Sequence, residues 1–277
     1  MPGVTLTRLA SGALRVLRDD SLLARLGIIV AFTERTGGRS EAPYASLNLA
    51  SHVGDDPVCV DENRSMLLHA LGIERLRDRL TVPEQVHGVA VRLVDAATAG
   101  AGAFAAAQGA APVPGTDALV TREWDVPLML CFADCVPVVL VAPAPVRTIA
   151  VVHAGWKGAL ARLPGVAARR VASEAGCRTA DLIAYVGPYI GPDRYQVGAE
   201  RVSQFVNSFG SIAAARDRLD LGVIVSQTLC EVGVPPSSQV VSGLHTAGST
   251  DRFFSYREEG VTGRHAAVAC IVGSTAG

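Results

Sequence analysis

From Val126 to Val146 the chain reads VPLMLCFADCVPVVLVAPAPV, twenty-one residues with a single charged side chain, Asp134. A run of that length matches the roughly 20 apolar residues a helix needs to cross a bilayer. The prolines at 127, 137, 143 and 145 oppose that reading, because each removes a backbone donor and would break a continuous helix. Two short buried strands meeting at Ala133-Asp134-Cys135 account for the run better. The carboxylate at their junction must then be hydrogen-bonded or functional, since burying an unpaired charge is expensive.

Similar runs recur along the chain. Gly27–Thr33, Ala118–Thr121, Thr148–His153, Leu182–Val186 and Ala266–Val272 read as strands, beside Leu128–Phe132 and Val136–Val141 within the uncharged stretch. Asp56-Pro57 opens a helix that Gly72 closes, with an N-cap carboxylate, proline at the first helical position and glycine past the end. Further helices are expected from Pro164 to Gly176, near Gly198–Phe209 and near Leu219–Val232. Strands and helices alternate irregularly, which predicts one mixed α/β domain over 1–277, with central mixed β-sheets flanked by helices. The Ala/Gly-rich segment at about 95–115 is expected to be a flexible insertion without function.

With 49% apolar and 18% charged residues, the composition excludes a disordered chain. The net charge of -1 provides no bulk basic field for nucleic acid or an anionic membrane, so any anion must be held locally. Six dispersed cysteines, at 59, 131, 135, 177, 230 and 270, lack the density of a secreted disulfide scaffold, and no signal peptide is evident. A reducing, cytoplasmic setting is the expectation.

Three short polar islands stand at the ends of apolar runs: Gln85-Val86-His87-Gly88, Ala133-Asp134-Cys135 and His153-Ala154-Gly155-Trp156. Two imidazoles and one thiolate would leave a fourth tetrahedral position free, the arrangement that separates catalytic from structural zinc. Spacing alone does not decide the matter. The same residues fit a thiol nucleophile, with Cys135 activated by His153 or His87, or packed wall residues. Two His and one Cys also describe a blue-copper centre, which would need an axial thioether from Met1, Met66 or Met129.

The motifs themselves resemble the YfiH/DUF152 family. The matching blocks include Ser46-Leu47-Asn48-Leu49, Asn63-Arg64, Gln85-Val86-His87-Gly88, Thr116-Asp117-Ala118-Leu119, Ala133-Asp134-Cys135-Val136-Pro137 and His153-Ala154-Gly155-Trp156-Lys157-Gly158. They continue through Gly187-Pro188-Tyr189, Phe254-Ser255-Tyr256-Arg257 and Thr262-Gly263-Arg264. The family carries the label of polyphenol oxidase or laccase. The resemblance implies a layered α/β fold and a zinc-dependent purine nucleoside phosphorylase that also deaminates adenosine, with His87, Cys135 and His153 as zinc ligands. It also implies purine nucleosides and phosphate as small-molecule partners, with no nucleic acid or membrane. A copper-type oxidase, and a peptidoglycan-editing or thiol hydrolase factor, are the alternatives.

Roles follow for several further residues. Arg35, in a Gly-rich loop, is the first candidate for phosphate, because a guanidinium presents forked donors that match phosphate oxygens, and Arg264 is the second. Asp134 is expected to protonate the leaving base or to support a ligating imidazole, and Gln85 and Asn48 to read base or ribose. Trp156 is a candidate for stacking on the purine. The chain departs from the family pattern at His245-Thr246, at Arg257-Glu258 and at Asp193-Arg194-Tyr195-Gln196, positions expected to bear on substrate preference.

Overall fold

The computed structural model describes residues 5–105 and 110–273. The chain opens with β1 (Thr7–Ser11), β2 (Leu14–Arg18), α1 (Asp20–Leu26), β3 (Ile28–Thr33) and α2 (Pro57–Ala70). It continues through β4 (Val91–Leu93), β5 (Ala118–Thr121), β6 (Leu128–Phe132), β7 (Val136–Ala142) and β8 (Thr148–Ala154). Next come α3 (Trp156–Leu160), α4 (Leu163–Ala175), β9 (Ile183–Val186), α5 (Ala199–Phe209), β10 (Ala214–Ala215) and β11 (Arg218–Leu219). The last elements are α6 (Leu221–Glu231), β12 (Gln239–Val241), α7 (Tyr256–Glu259) and β13 (His265–Ile271).

Two sheets carry the fold. One is antiparallel throughout, in the order β1-β2-β3-β13-β6. The other is mixed, in the order β12-β9-β7-β8-β5-β4, with parallel pairs only at its two edges. Strands β10 and β11 form a separate two-stranded ribbon.

Alternation along each central strand shows how the layers stack, since successive side chains of a strand point to opposite faces. In β7, Val139 and Val141 pack between the sheets with Phe32, Leu130 and Tyr185, whereas Val136, Val138 and Leu140 join a second core with α4 and α6. In β13, Ala267, Ala269 and Ile271 face the inter-sheet core, whereas Ala266, Val268 and Cys270 pack toward α2. The order is therefore helix, sheet, sheet, helices. Strands covered on both faces need no polar residue on either, and for this reason they read as unbroken apolar runs rather than alternating ones.

The uncharged stretch resolves in the same way. Strand β6 belongs to the antiparallel sheet and β7 to the mixed one, so Ala133-Asp134-Cys135 is where the chain crosses from one sheet to the other. No helix among the described residues is long and apolar enough to cross a membrane.

Helix α2 begins as its capping residues require, with Asp56 accepting from the Val58 amide, and Gly72 follows its end at a φ of 73°. The β1–β2 hairpin and α1 had no sequence expectation; β1 is exposed along most of its length and its apolar content is low. The Ala/Gly-rich segment is a correction in its described part. Ala103 and Val113 are buried, the Val113 amide donates to the Val82 carbonyl while its own carbonyl accepts from the Glu84 amide, and the Arg64 guanidinium donates to the carbonyls of Gly102 and Ala103. Its centre, residues 106–109, lies outside the described residues.

Candidate metal centre and substrate cavity

The sheet crossover sets the site. Asp134 adopts a φ of 92°, unusual for a residue with a side chain, and three hydrogen bonds hold it there. Its Oδ1 accepts from Thr246 Oγ1 and Ser255 Oγ, each at 2.7 Å, and its Oδ2 from the Arg257 amide at 2.7 Å. The carboxylate expected as an acid or a support thus anchors two distant segments onto the crossover, beside Cys135.

His153, in the last turn of pleat of β8, sits opposite Pro137 of β7 in the ladder. His87 arrives on the loop before β4, itself at a φ of 56°. The three sequence-predicted ligands converge: their ligand atoms all lie within 4.8 Å of one another, with Cys135 Sγ 3.8 Å from His87 Nε2. The two imidazoles meet edge to face at 4.8 Å between centroids. Gly155 leaves the room they need, because a Cβ there would fall 2.9 Å from His87 Cδ2 and 3.1 Å from Cys135 Sγ.

Asp117 organises this cluster, and sequence reasoning assigned it no role. Its buried carboxylate accepts from His153 Nδ1 at 2.7 Å, and from the amides of Val86, His87 and Gly88 at 3.3, 3.0 and 2.6 Å. One side chain therefore orients one imidazole and fixes the loop that carries the other. Its signal was available: Asp117 immediately precedes an apolar strand, the same strand-end position that drew attention to His87, Cys135 and His153.

Electrostatics favour a ligating thiolate. Burial alone would push the Cys135 thiol up, but the imidazoles of His153 and His87 bring it down to about 6. Burial alone would push His153 down, yet the Cys135 thiolate and Asp117 raise it to about 9. Asp117 is held below its ordinary range, against burial, by His153 and the Gly88 and Val86 amides. Two nitrogens and a thiolate around one point, with the outer nitrogen of His153 bound to a carboxylate, fit a divalent metal such as zinc.

The cluster opens into a cavity of about 480 Å³ whose wall includes His52, Trp156, Tyr195, Arg201, Arg257 and Arg264. A more open groove of about 730 Å³ beside Arg178 and Asp181 brings no comparable cluster together. Of the predicted binding residues, Arg264 and Gln85 line the cavity. Gln85 has its amide committed, donating to the Cys131 carbonyl and accepting from the Cys131 amide.

Asn48 and Arg35, expected at the substrate, stand outside the cavity wall. Asn48 is fully buried and ties the Ala50 backbone to the Arg264 amide. The Arg35 guanidinium lies on the Phe254 ring, donates to the carbonyls of Ala45 and Thr250, and pairs with Glu259 at 2.8 Å. Its Nε and Nη1 are spent on the protein. His245, one of the family departures, packs edge-on against Tyr189, also outside the cavity wall. Tyr195 and Arg257, from two stretches expected to bear on substrate preference, line the cavity, as does His52, to which no role was assigned; Arg201 was missed, because nothing in its local sequence distinguishes it from solvated surface.

Residues 29–272 match a family model described as multi-copper polyphenol oxidoreductase laccase. A protein named purine nucleoside phosphorylase YlmD, from Geobacillus stearothermophilus, is 35% identical over 86% of this chain and 88% of its own. A purine nucleoside phosphorylase from Xylella fastidiosa is 37% identical over 88% and 93%. Among solved structures, YlmD from Geobacillus stearothermophilus superposes with a TM-score of 0.87 at 32% identity, covering 98% of this chain and 100% of that one. The Bacillus licheniformis hypothetical protein YfiH superposes at 0.86 with 28% identity, covering 95% and 98%. On motifs, fold and match length together, the chain belongs to the laccase-like YfiH/DUF152 family.

Proposed function

We propose that this protein is a zinc-dependent purine nucleoside phosphorylase. The observation that carries the reading is the His87–Cys135–His153 cluster opening into a cavity where three arginines, 201, 257 and 264, have no carboxylate partner among the described residues. The one carboxylate in that wall, Asp134, is already occupied by three donors. Such a cavity carries surplus positive charge and suits an anionic co-substrate. The names of the relatives supply the reaction class.

Phosphorolysis breaks an N-glycosidic bond through a cationic, oxocarbenium-like sugar, so the site must hold an anion beside a forming cation. A metal ion held by His87, Cys135 and His153 supplies Lewis-acid polarisation of a substrate or phosphate oxygen when bound. Arg264, whose Nη1 is braced by the carbonyls of Thr262 and Gly263, offers its remaining donors to phosphate. Asp134 acts as a positioning residue through Arg257 and Cys135. Trp156 and Tyr256 provide aromatic surface for the base.

Zinc is favoured over copper by the donor set. A blue-copper centre wants a weak axial thioether, and neither Met66 nor Met129 lines the cavity. A second reading has one observation behind it: Cys135, His153 and Asp117 also align as thiol, imidazole and carboxylate, the order of a thiol hydrolase.

Purified protein loaded with zinc, incubated with adenosine, inosine or methylthioadenosine, separates these readings. Phosphate-dependent release of free base supports the proposal, and conversion of adenosine to inosine would add deamination. Base release that needs no phosphate, or one equivalent of copper with an intense visible band, overturns it. Activity that survives metal removal and is lost in Cys135→Ala supports the thiol reading.

A further inference from the structure

Arg201 stands in the first turn of α5 and lines the cavity, yet its guanidinium makes no hydrogen bond or ion pair with any described residue. Its Nε is buried and without a partner. With no partner for Nη1 or Nη2 among the described residues, the terminal nitrogens of this cavity-lining guanidinium are left for something the protein alone does not provide. The guanidinium lies 3.9 Å above the centre of the Trp156 ring. Contact with the ring holds the cation in place without using its N–H groups, through which a planar guanidinium meets anions.

A second guanidinium repeats the arrangement. Arg257 lies 5.1 Å over the Tyr195 ring, its Nη1 donates to the Gln196 carbonyl at 2.9 Å, and it has no carboxylate partner. Its own amide is clamped by Asp134, which fixes where the side chain begins. Tyr195 is a shared neighbour: its hydroxyl is pushed up to about 12 by burial, with the Cys135 thiolate adding to the rise and Arg201 and Arg257 opposing it. Tyr195 and both cations line the one cavity into which the His87–Cys135–His153 cluster opens.

We propose that Arg201 on Trp156 and Arg257 on Tyr195 form a subsite for a phosphate group. Two guanidinia match the charge of close to -2 that a phosphate group carries near neutral pH, and their forked donors match its tetrahedral oxygens. The inference rests on the phosphorylase reading for the nature of the anion but not for its existence. The phosphate group has two sources, the inorganic co-substrate and the phosphate of a bound nucleotide or sugar phosphate.

Calorimetric titration of metal-loaded protein with inorganic phosphate, and separately with adenosine 5′-monophosphate, tests the subsite without relying on turnover. Arg201→Gln is expected to weaken binding of the phosphate-bearing probe about tenfold or more, the loss of charge-assisted hydrogen bonds, with Arg201→Lys intermediate. Metal content and the circular dichroism of the native fold stay at the wild-type level in both variants. Dependence of inorganic phosphate on Arg201 marks the co-substrate position, and dependence of the nucleotide alone marks a substrate-phosphate position; both support the subsite. Binding of both probes by Arg201→Gln at wild-type strength overturns it. If the wild-type protein binds phosphate through Arg201 but releases no base, the subsite stands and the phosphorylase reading fails.

Discussion

His153 Nδ1 donates a hydrogen bond to Asp117 Oδ1 across 2.7 Å, and both groups are withdrawn from solvent. The bond fixes which nitrogen of His153 remains for the cluster, because a carboxylate only accepts. The same carboxylate holds the backbone of the His87 loop, so the geometry of two members of the cluster depends on one residue that does not itself line the cavity.

Asp117→Asn should lower metal affinity by about 10–100-fold, the usual consequence of losing a partner that orients a ligating imidazole. A competition titration against a chromophoric chelator measures this. An unchanged affinity would show that His153 is oriented by packing against Phe132 instead.

Gly155→Ala tests the space inside the cluster. The backbone there is ordinary, with a φ of -70°, so the substitution introduces no conformational strain and acts only through the Cβ contacts with His87 and Cys135. Overpacking of about 1–3 kcal/mol is expected at the ligands. Metal content should fall while circular dichroism stays that of the native fold, and full metal occupancy would contradict the close approach.

Metal affinity should depend on pH with a definite sign. Protons compete with the ion for Cys135 and His153, the first near 6 and the second near 9. Between about 9 and about 6 the thiolate is already formed and one proton leaves His153 on binding, so affinity should drop about tenfold per pH unit. Below about 6 the thiol proton must also leave, and the slope should steepen. Chelator competition across this range reads the slope directly; a flat profile between 7 and 9 would mean that His153 is neutral before the metal arrives.

Arg35→Ala should reduce stability rather than phosphate use. The side chain is largely buried against Phe254 and braces Ala45, Thr250 and Glu259, so its loss should cost about 1–3 kcal/mol through unsatisfied acceptors. Urea melts measure the loss. A phosphate KM raised in a variant of wild-type stability would return Arg35 to the binding site.

The His87–Cys135–His153 cluster was legible in the chain because each member stands at a visible discontinuity, where an apolar run gives way to a polar island. Asp117 has the same signature and was passed over, since its importance lies in three amides and an imidazole that only the folded loop presents to it. The surroundings of the arginines were hidden for a related reason. A glycine-rich loop around Arg35 suggested an anion site, but the carboxylate that occupies it, Glu259, is 224 residues away. Arg201 sits on an ordinary amphipathic helix, and nothing nearby in sequence shows that its donors remain unused.

The run from Val126 to Val146, with its single charge, was decided by sequence alone: prolines and one central carboxylate restrict it to two buried strands, whatever they pack against. That these strands belong to different sheets, and that their junction faces His87 and His153, was decided only by tertiary structure. Hydrophobic pattern records which side chains leave water, a local property of each strand. Which polar strand ends then meet depends on how two sheets stack, and that is settled by side chains of the shared core, such as Phe32, Leu130, Val139 and Tyr185, drawn from four separate strands.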